Sequence, residues 1–283
     1  MTAPQPPDAL RGPVMIAAFE GWNDAGSAAS QAVVHLHQAW HAEQVEELDP
    51  EEYHDFQVNR PQVGLGADGT REITWPTTTL SVAERPSDAG PVVLVHGIEP
   101  SMRWRRFCDE LLDAAERLGV TTVVTLGALL ADVPHTRPIP VTATSDDRGV
   151  RAELDLERSS YEGPTGIVGV LTHEASRRGL RTVSMWAAVP HYVAHPPSPK
   201  ATLALLTRTE ELLGETIDMG ELHEDAEAWQ NGVDELAAED SEIAEYVAQL
   251  EEAKDTVDLP EASGEAIARE FERYLRRRDK PGS

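Results

Sequence analysis

The sequence holds one cysteine, Cys108, in 283 residues. That excludes an internal disulfide and any multi-cysteine zinc or iron–sulfur cage, and it agrees with a reducing compartment. Long apolar runs are missing as well, since no stretch approaches the roughly 18 uninterrupted apolar residues of a spanning helix. The opening MTAPQPPDALRG lacks the basic-then-apolar plan of a secretory signal. A cytoplasmic protein without membrane contact is expected. Positive charge is scarce: 24 Lys and Arg stand against 50 Asp and Glu, a net charge of −26. Within 209–260 there are 18 acidic residues against Lys254 alone, whereas 261–283 is +1. Such a surface repels phosphates and anionic lipid, so no nucleic-acid partner is expected.

Familiar catalytic signatures are also lacking. There is no G-x-S-x-G elbow to present a serine and no G-x-x-x-x-G-K-[ST] phosphate loop. Gly64-Leu65-Gly66-Ala67-Asp68-Gly69 has dinucleotide-loop spacing, but a strand rather than a helix follows it, so these are expected to be hairpin glycines. The pairs His37/His41 and His191/His195 have H-x-x-x-H spacing without the glutamate or the third ligand of a zinc site. His173-Glu174 has Arg177 where the second histidine would stand. No metal and no cofactor are expected, and Trp104 and Cys108 are assigned to a helix's core stripe.

What is present is a globular composition, 40% apolar and 26% charged, over a length that fits two domains or one with an appendage. VMIAAF at 14–19 predicts a buried strand running into EGWNDAG. A helix follows, with Ala25, Ala29, Ala32, Val33, Leu36 and Trp40 on one face and Asp24 as N-cap. PVVLVHG at 91–97 repeats the plan, with Trp104, Phe107, Cys108, Leu111, Leu112, Ala115 and Leu118 on the next helix. TTVVTLGALL and RTVSMWAAVP give further strands, the second between a helix over 165–178 and one opening at Ser198-Pro199. Between 43 and 83 an antiparallel insertion is expected, with a hairpin turn at Asp68-Gly69. Alternation of this kind predicts an α/β fold: a three-layer α/β/α sandwich around a mixed, mostly parallel sheet.

The expected organisation is a disordered arm over 1–13, an α/β core over 14–214, an acidic helical subdomain over 215–278 and a flexible tail over 279–283. In the subdomain Leu222, Ala226, Trp229, Val233 and Leu236 form one stripe. Ile243, Val247 and Leu250 form a second, and Ile267, Phe271, Tyr274 and Leu275 a third. Helices this thinly striped must pack on the core or on another subunit.

In open α/β sheets, ligands bind outside the carboxyl ends of the strands. Glu20, Trp22, Asn23 and Asp24 follow the first strand, His96 and Glu99 the second, His135 and Arg137 the third, and Trp186 and His191 the last. This is an inventory for acid–base chemistry or for binding a polar ligand, if the residues meet in one cleft. The plain alternative is a set of helix caps, ion pairs and packed indoles.

These segments also carry a resemblance. F-E-G-W-N-D-A-G at 19–26, H-G-I-E-P at 96–100 with Trp104, P-H-T-R-P at 134–138, Y-E-G-P-T-G-I at 161–167, W-A-A-V-P-H-Y at 186–192 and S-P-K-A at 198–201 occur in order. Together they resemble the bacterial branch of the proteasome assembly chaperone two family. The resemblance implies an α/β/α sandwich layered like nucleoside phosphorylases and peptidyl hydrolases, a tendency to self-associate, and no established reaction, cofactor or substrate. Archaeal relatives dock on proteasome rings through a terminal hydrophobic–Tyr–any-residue tail. This chain ends Arg276-Arg277-Arg278-Asp279-Lys280-Pro281-Gly282-Ser283, with Tyr274 nine residues from the end, so such docking is not expected. Two functions follow as expectations. One is a non-enzymatic, self-associating assembly or scaffold protein that presents its acidic helices to a protein partner. The other is a hydrolase or transferase acting on a small polar, nucleoside-like ligand at the strand ends.

Overall fold

The computed structural model describes residues 7, 10–66, 69–87 and 89–256, without the side chains of 254–256. Its centre is β1 (Val14–Glu20), whose alternate side chains serve two cores: Val14, Ile16 and Ala18 face one, Met15, Ala17 and Phe19 the other. A strand apolar on both faces must be covered on both, which is why the sheet is sandwiched. β6 (Val92–Ile98) and β7 (Thr122–Ala131) flank β1 in parallel, and β9 (Arg181–Pro190) runs parallel beyond β7. Antiparallel strands close both sides: β5 (Thr78–Ala83) then β2 (Glu43–Glu47) beside β6, and β8 (Val141–Thr144) beside β9. The order β2-β5-β6-β1-β7-β9-β8 makes a mixed seven-stranded sheet with a parallel heart.

On one face lie α1 (Ala28–Ala39) and α6 (Pro199–Leu213), and on the other α3 (Trp104–Arg117) and α5 (Ile167–Arg177). Two short helices, α2 (Pro50–Tyr53) and α4 (Arg148–Leu154), and the strand β8 were not foreseen; each is seven residues or fewer, too short to show a period. The insertion carries a separate hairpin, β3 (Gln62–Leu65) with β4 (Arg71–Thr74), every strand residue of which is exposed.

Beyond the sheet, α7 (Leu222–Glu239) packs along α6 and is followed by α8 (Ser241–Thr256). The buried line of α7 is Ala226, Val233 and Ala237, while Leu236 is 59% exposed. The expected stripe is thus rotated by about one position at its end. The expected third stripe and the tail lie outside the described residues. The arm expected to be disordered through residue 13 is packed from Leu10 onward: Leu10 is fully buried, and the Arg85 guanidinium donates to the Leu10 and Gly12 carbonyls at 3.2 and 2.8 Å. Ser198 precedes α6 as expected but makes no side-chain cap; it is buried against Gly26, whose Cβ position would lie 2.6 Å from the Ser198 Cβ. No helix among the described residues is long and apolar enough to cross a membrane.

Candidate functional site

The strand ends place the ten candidate residues in two groups and two packing positions. The first group forms where β1 and β6 end side by side. After Glu20 the chain turns through Gly21, whose φ of 121° suits only glycine. Asn23 then reaches across: its side-chain amide donates to Glu99 Oε1 at 2.8 Å, and the same oxygen accepts the Ile167 N–H, at the start of α5, at 2.9 Å. Glu99 returns a backbone N–H to the Glu20 carbonyl at 2.9 Å. Gly166 is a close approach, since a Cβ there would sit 2.3 Å from Asn23 Oδ1. Asp24 Oδ1 accepts the Ala29 and Ser30 N–H groups at 2.7 and 3.2 Å, capping α1 across the 3-10 turn Ala25–Ser27.

Electrostatics differ within this corner. Burial raises the Asp24 carboxyl above the usual range; the bonds from Ser30 and Ala29 lower it, and the Glu20 charge adds to the rise. Burial likewise raises Glu20, which is half exposed. His96 stands with Nε2 3.5 Å from Glu20 Oε1, an ion-pair distance without a hydrogen bond, and burial lowers its pKa against the pull of Asp24. Glu20 is therefore the polar group of the corner most open to a solute, beside a partly exposed His96 whose Nε2 is buried, while Asn23, Asp24 and Glu99 are engaged as ties. Trp22 is half-buried in the same turn.

The second group meets the C-terminal helices. His135 is buried; its Nε2 lies 2.9 Å from Asp234 Oδ1 on α7 and its Nδ1 2.7 Å from the Tyr192 hydroxyl. Asp234 as acceptor requires the proton on Nε2, so Nδ1 accepts from Tyr192, whose oxygen in turn accepts the His135 backbone N–H at 2.7 Å. Donor and acceptor capacities are matched around the ring. Burial pushes the Tyr192 hydroxyl up to about 12. The Lys200 ammonium donates to the His135 carbonyl and to Gln230 Oε1, both at 2.5 Å. Arg137 pairs with Glu251 of α8 at 3.2 Å, and Thr136 donates to the same carboxylate. His191 Nδ1 lies 3.3 Å from Asp132 Oδ1, which accepts from the Tyr246 hydroxyl of α8 at 3.1 Å. His135, Tyr192, His191 and Tyr246 contact edge to face. This group binds α7 and α8 to the strand ends.

Trp186 packs over Gly127, its cross-strand partner in β7, where a Cβ would meet the indole ring at 2.6 Å; its Nε1 donates to Ser184 Oγ at 3.0 Å. Sequence reading missed Tyr192, Asp234, Tyr246 and Glu251. Tyr192 sits inside the W-A-A-V-P-H-Y segment and was open to notice; the other three lie on surface-like acidic helices with no local signal. Among the described residues no three His, Cys, Asp or Glu side chains stand close enough to hold a metal ion.

Comparison with known proteins follows this architecture. The model of the PAC2 family matches residues 18–237. A PAC2 family protein from Streptomyces avermitilis is 60% identical with a TM-score of 0.78, the match covering 83% of this chain and 99% of that one. A proteasome-assembly chaperone homologue from Mycobacterium tuberculosis is 51% identical with a TM-score of 0.75, over 83% of this chain and 99% of that one. An archaeal homologue of proteasome-assembly chaperone from Pyrococcus furiosus, 16% identical over 88% of this chain and 97% of its own, shares the fold at a TM-score of 0.57. No curated protein matches the chain in sequence.

Proposed function

The chain belongs to the PAC2 family, and from that premise we propose that it is a non-enzymatic, self-associating assembly protein of the cytoplasm, chaperone-like in role, which meets its own copies through the β3–β4 hairpin. The observation that carries this reading is the hairpin's composition. Val63 and Ile73 are cross-strand partners, Leu65 lies on the same face two residues on, and all three are exposed, Leu65 at 76%. Trp75 extends the patch and packs against Phe56, with ring centroids 4.9 Å apart and planes tilted by 58°.

A two-stranded ribbon is marginal in water by itself and needs a covering surface. A cover required for the protein's own order must come from a partner always present at the same concentration, which is a second copy. Charge agrees. Two chains of −26 repel, but residues 56–76 hold Arg60 and Arg71 against Asp68 and Glu72 and are neutral, so copies can approach there. A chaperone-like role is supported by the Mycobacterium tuberculosis relative, whose description is that of a proteasome-assembly chaperone homologue. The exposed carboxylates of α7 and α8, Glu224, Glu227, Glu235 and Glu242 among them, then form the face offered to a protein partner. On the same reading the Glu20–His96 corner is the place for a small polar ligand, and the Asn23, Asp24, Glu99, His135, Arg137 and His191 contacts are structural. Multi-angle light scattering at micromolar concentrations tests the proposal: a mass of two or more times 30.9 kDa is expected, and a monomer mass throughout would overturn it.

A further inference from the structure

The apolar face of the β3–β4 hairpin also carries a charge. Cross-strand partners share a face, so Val63 with Ile73 and Leu65 with Arg71 stand on one side of the ribbon, while Glu72 and Thr74 stand on the other. Arg71 is exposed and makes no ion pair among the described residues. Two such faces laid on one another would enclose an Arg71 from each copy with no carboxylate to answer either, and a buried charge without a partner is costly. The hairpin therefore fits a surface unlike itself, one that offers an apolar contact with carboxylates beside it.

Such a surface stands on α7. Gly232, Glu235, Leu236 and Glu239 are spaced i, i+3, i+4 and i+7, so they form one contiguous helix face, and all four are exposed. Outside residues 43–83, Leu236 is the most exposed large apolar side chain among the described residues. Glu235 and Glu239 flank it, and neither has an ion-pair partner among the described residues. Glycine inside a helix is destabilising relative to alanine. A Cβ on Gly232 would meet nothing within 4 Å, so no contact inside the chain asks for the glycine. A side chain arriving from outside and seated on bare backbone, one turn before Leu236, would.

The two faces belong to opposite sides of the sandwich. Leu48 and Tyr53, at the start of the insertion, join the core under α3 and α5, and the Ser101 N–H donates to the Tyr53 carbonyl at 2.8 Å. α7 packs along α6, which serves the other core. A contact between hairpin and α7 is therefore a contact between copies, and it is heterologous, each chain giving its hairpin to one neighbour and receiving another on its helix.

Resting on the reading that copies meet through the hairpin, we infer that the hairpin of one copy seats on the Gly232–Leu236 face of the next. Leu65 and Ile73 lie against Leu236, and Arg71 answers Glu235 and Glu239. The seat takes Glu235 from the acidic face and leaves Glu224, Glu227 and Glu242 open to a different partner.

Light scattering on the full chain and two variants tests the seat. Leu236→Arg sets a cation against Arg71, and Leu65→Asp with Ile73→Asp charges the hairpin; none of these side chains belongs to either core, so the parent's circular dichroism is expected to persist. Each variant alone is expected to fall from the oligomeric mass to that of one chain. Mixed in equal amounts, they are expected to give a species of two chains and nothing larger, because the intact hairpin of one fits the intact helix of the other and no further pair of faces remains. A Leu236→Arg chain that keeps the oligomeric mass, or a mixture that stays at one chain, overturns the seat on α7 and leaves the hairpin contact standing. Unchanged mass with a lowered melting temperature also overturns it, since the helix face would then be covered within its own chain. A parent that is itself a single chain overturns self-association and the seat together.

A disulfide reads the same geometry without added charge. Cys108 is buried, with its thiol pushed up to about 12, so oxidation joins only introduced cysteines. Leu65→Cys with Leu236→Cys in one chain is expected to link copies into covalent multiples, and either substitution alone to link none. Covalent dimers from Leu65→Cys alone would set hairpin on hairpin and refute the inference.

Discussion

His135 and Asp234 are separated by 99 residues in the chain and meet at 2.9 Å, Nε2 to Oδ1. One of them closes the loop after β7 and is buried; the other projects from α7 and is about half exposed. Through this bond the acidic helices are attached to the sheet by an imidazole whose remaining polar atoms are all in use.

The attachment should depend on pH. Burial lowers the His135 pKa below its ordinary 6.5, and the Asp234 bond only partly restores it. Burial lowers His96 and His54 in the same direction. The unfolded chain therefore takes up protons first, and stability present above about pH 6.5 is lost as pH falls toward the folded values. Glu20 and Asp24 act in the opposite sense, since their raised values favour the folded state as they protonate, so they offset part of the loss at lower pH. Thermal unfolding across pH 8 to 5 is expected to be flat above 7 and to fall below 6.5. Asp234→Asn, which removes the carboxylate that sustains the His135 value, should steepen the fall; a flat profile in both proteins would contradict this account.

Arg85 is the second long-range tie. Its guanidinium is buried and bonded to four carbonyls, with Nε 3.9 Å from Glu215 Oε1. Arg85→Met would leave those carbonyls without their donors and the buried Glu215 carboxylate without a countercharge, held by Ser87 alone, at a cost of about 3–5 kcal/mol. Glu215→Gln keeps one oxygen for the Ser87 N–H and turns an amide donor toward the Ser87 hydroxyl oxygen, so it should cost less, about 1–2 kcal/mol. Urea midpoints order the two variants; a milder Arg85→Met would show that the clamp is not what holds the arm and the β5–β6 loop.

Replacing Leu65 and Ile73 together by aspartate places two charges on the exposed hairpin face. If that face joins copies, the scattering mass drops to one chain, while the far-ultraviolet circular dichroism of the sandwich is unchanged, because neither side chain reaches either core. An oligomer that survives both charges would place the interface elsewhere.

The heart of the sheet was legible because its strands are buried on both faces. β9 begins and ends where RTVSMWAAVP does, β1 extends the expected run by one residue, and β7 is displaced from its expected run by one. Fold class followed from alternation with striped helices. Short elements such as β8 and α4 left no period to read. At the strand ends, residue types and the approximate rim were visible, but partners were not: Asn23 and Glu99 are 76 residues apart, and Arg137 finds Glu251 over 114. Pairings of that kind depend on crossovers and on where α7 and α8 come to rest, which no local pattern encodes. Arg85 was passed over for a related reason, since a single charged residue after a strand reads as surface until its carbonyl partners are known.

Glu99 distinguishes a structural strand-end corner from a reactive one. Its Oε1 accepts both the Asn23 amide and the Ile167 N–H, so one oxygen joins the turn after β1 to the start of α5. Glu99→Gln keeps an oxygen able to accept both bonds and loses only the charge beside the N-terminus of α5, an effect of about 0.3–1 kcal/mol. Glu99→Ala removes the acceptor and strands a buried amide, costing about 1–3 kcal/mol. A structural tie therefore predicts near-normal stability and oligomeric mass for the Gln variant and a clear drop in the urea midpoint for the Ala variant. A carboxylate needed for its charge, to hold a cationic ligand or to move a proton, predicts the other pattern: the Gln variant would fold normally yet lose a measurable binding or turnover that the parent chain possesses. Finding such an activity, abolished by Glu99→Gln at unchanged stability, would overturn the non-enzymatic reading.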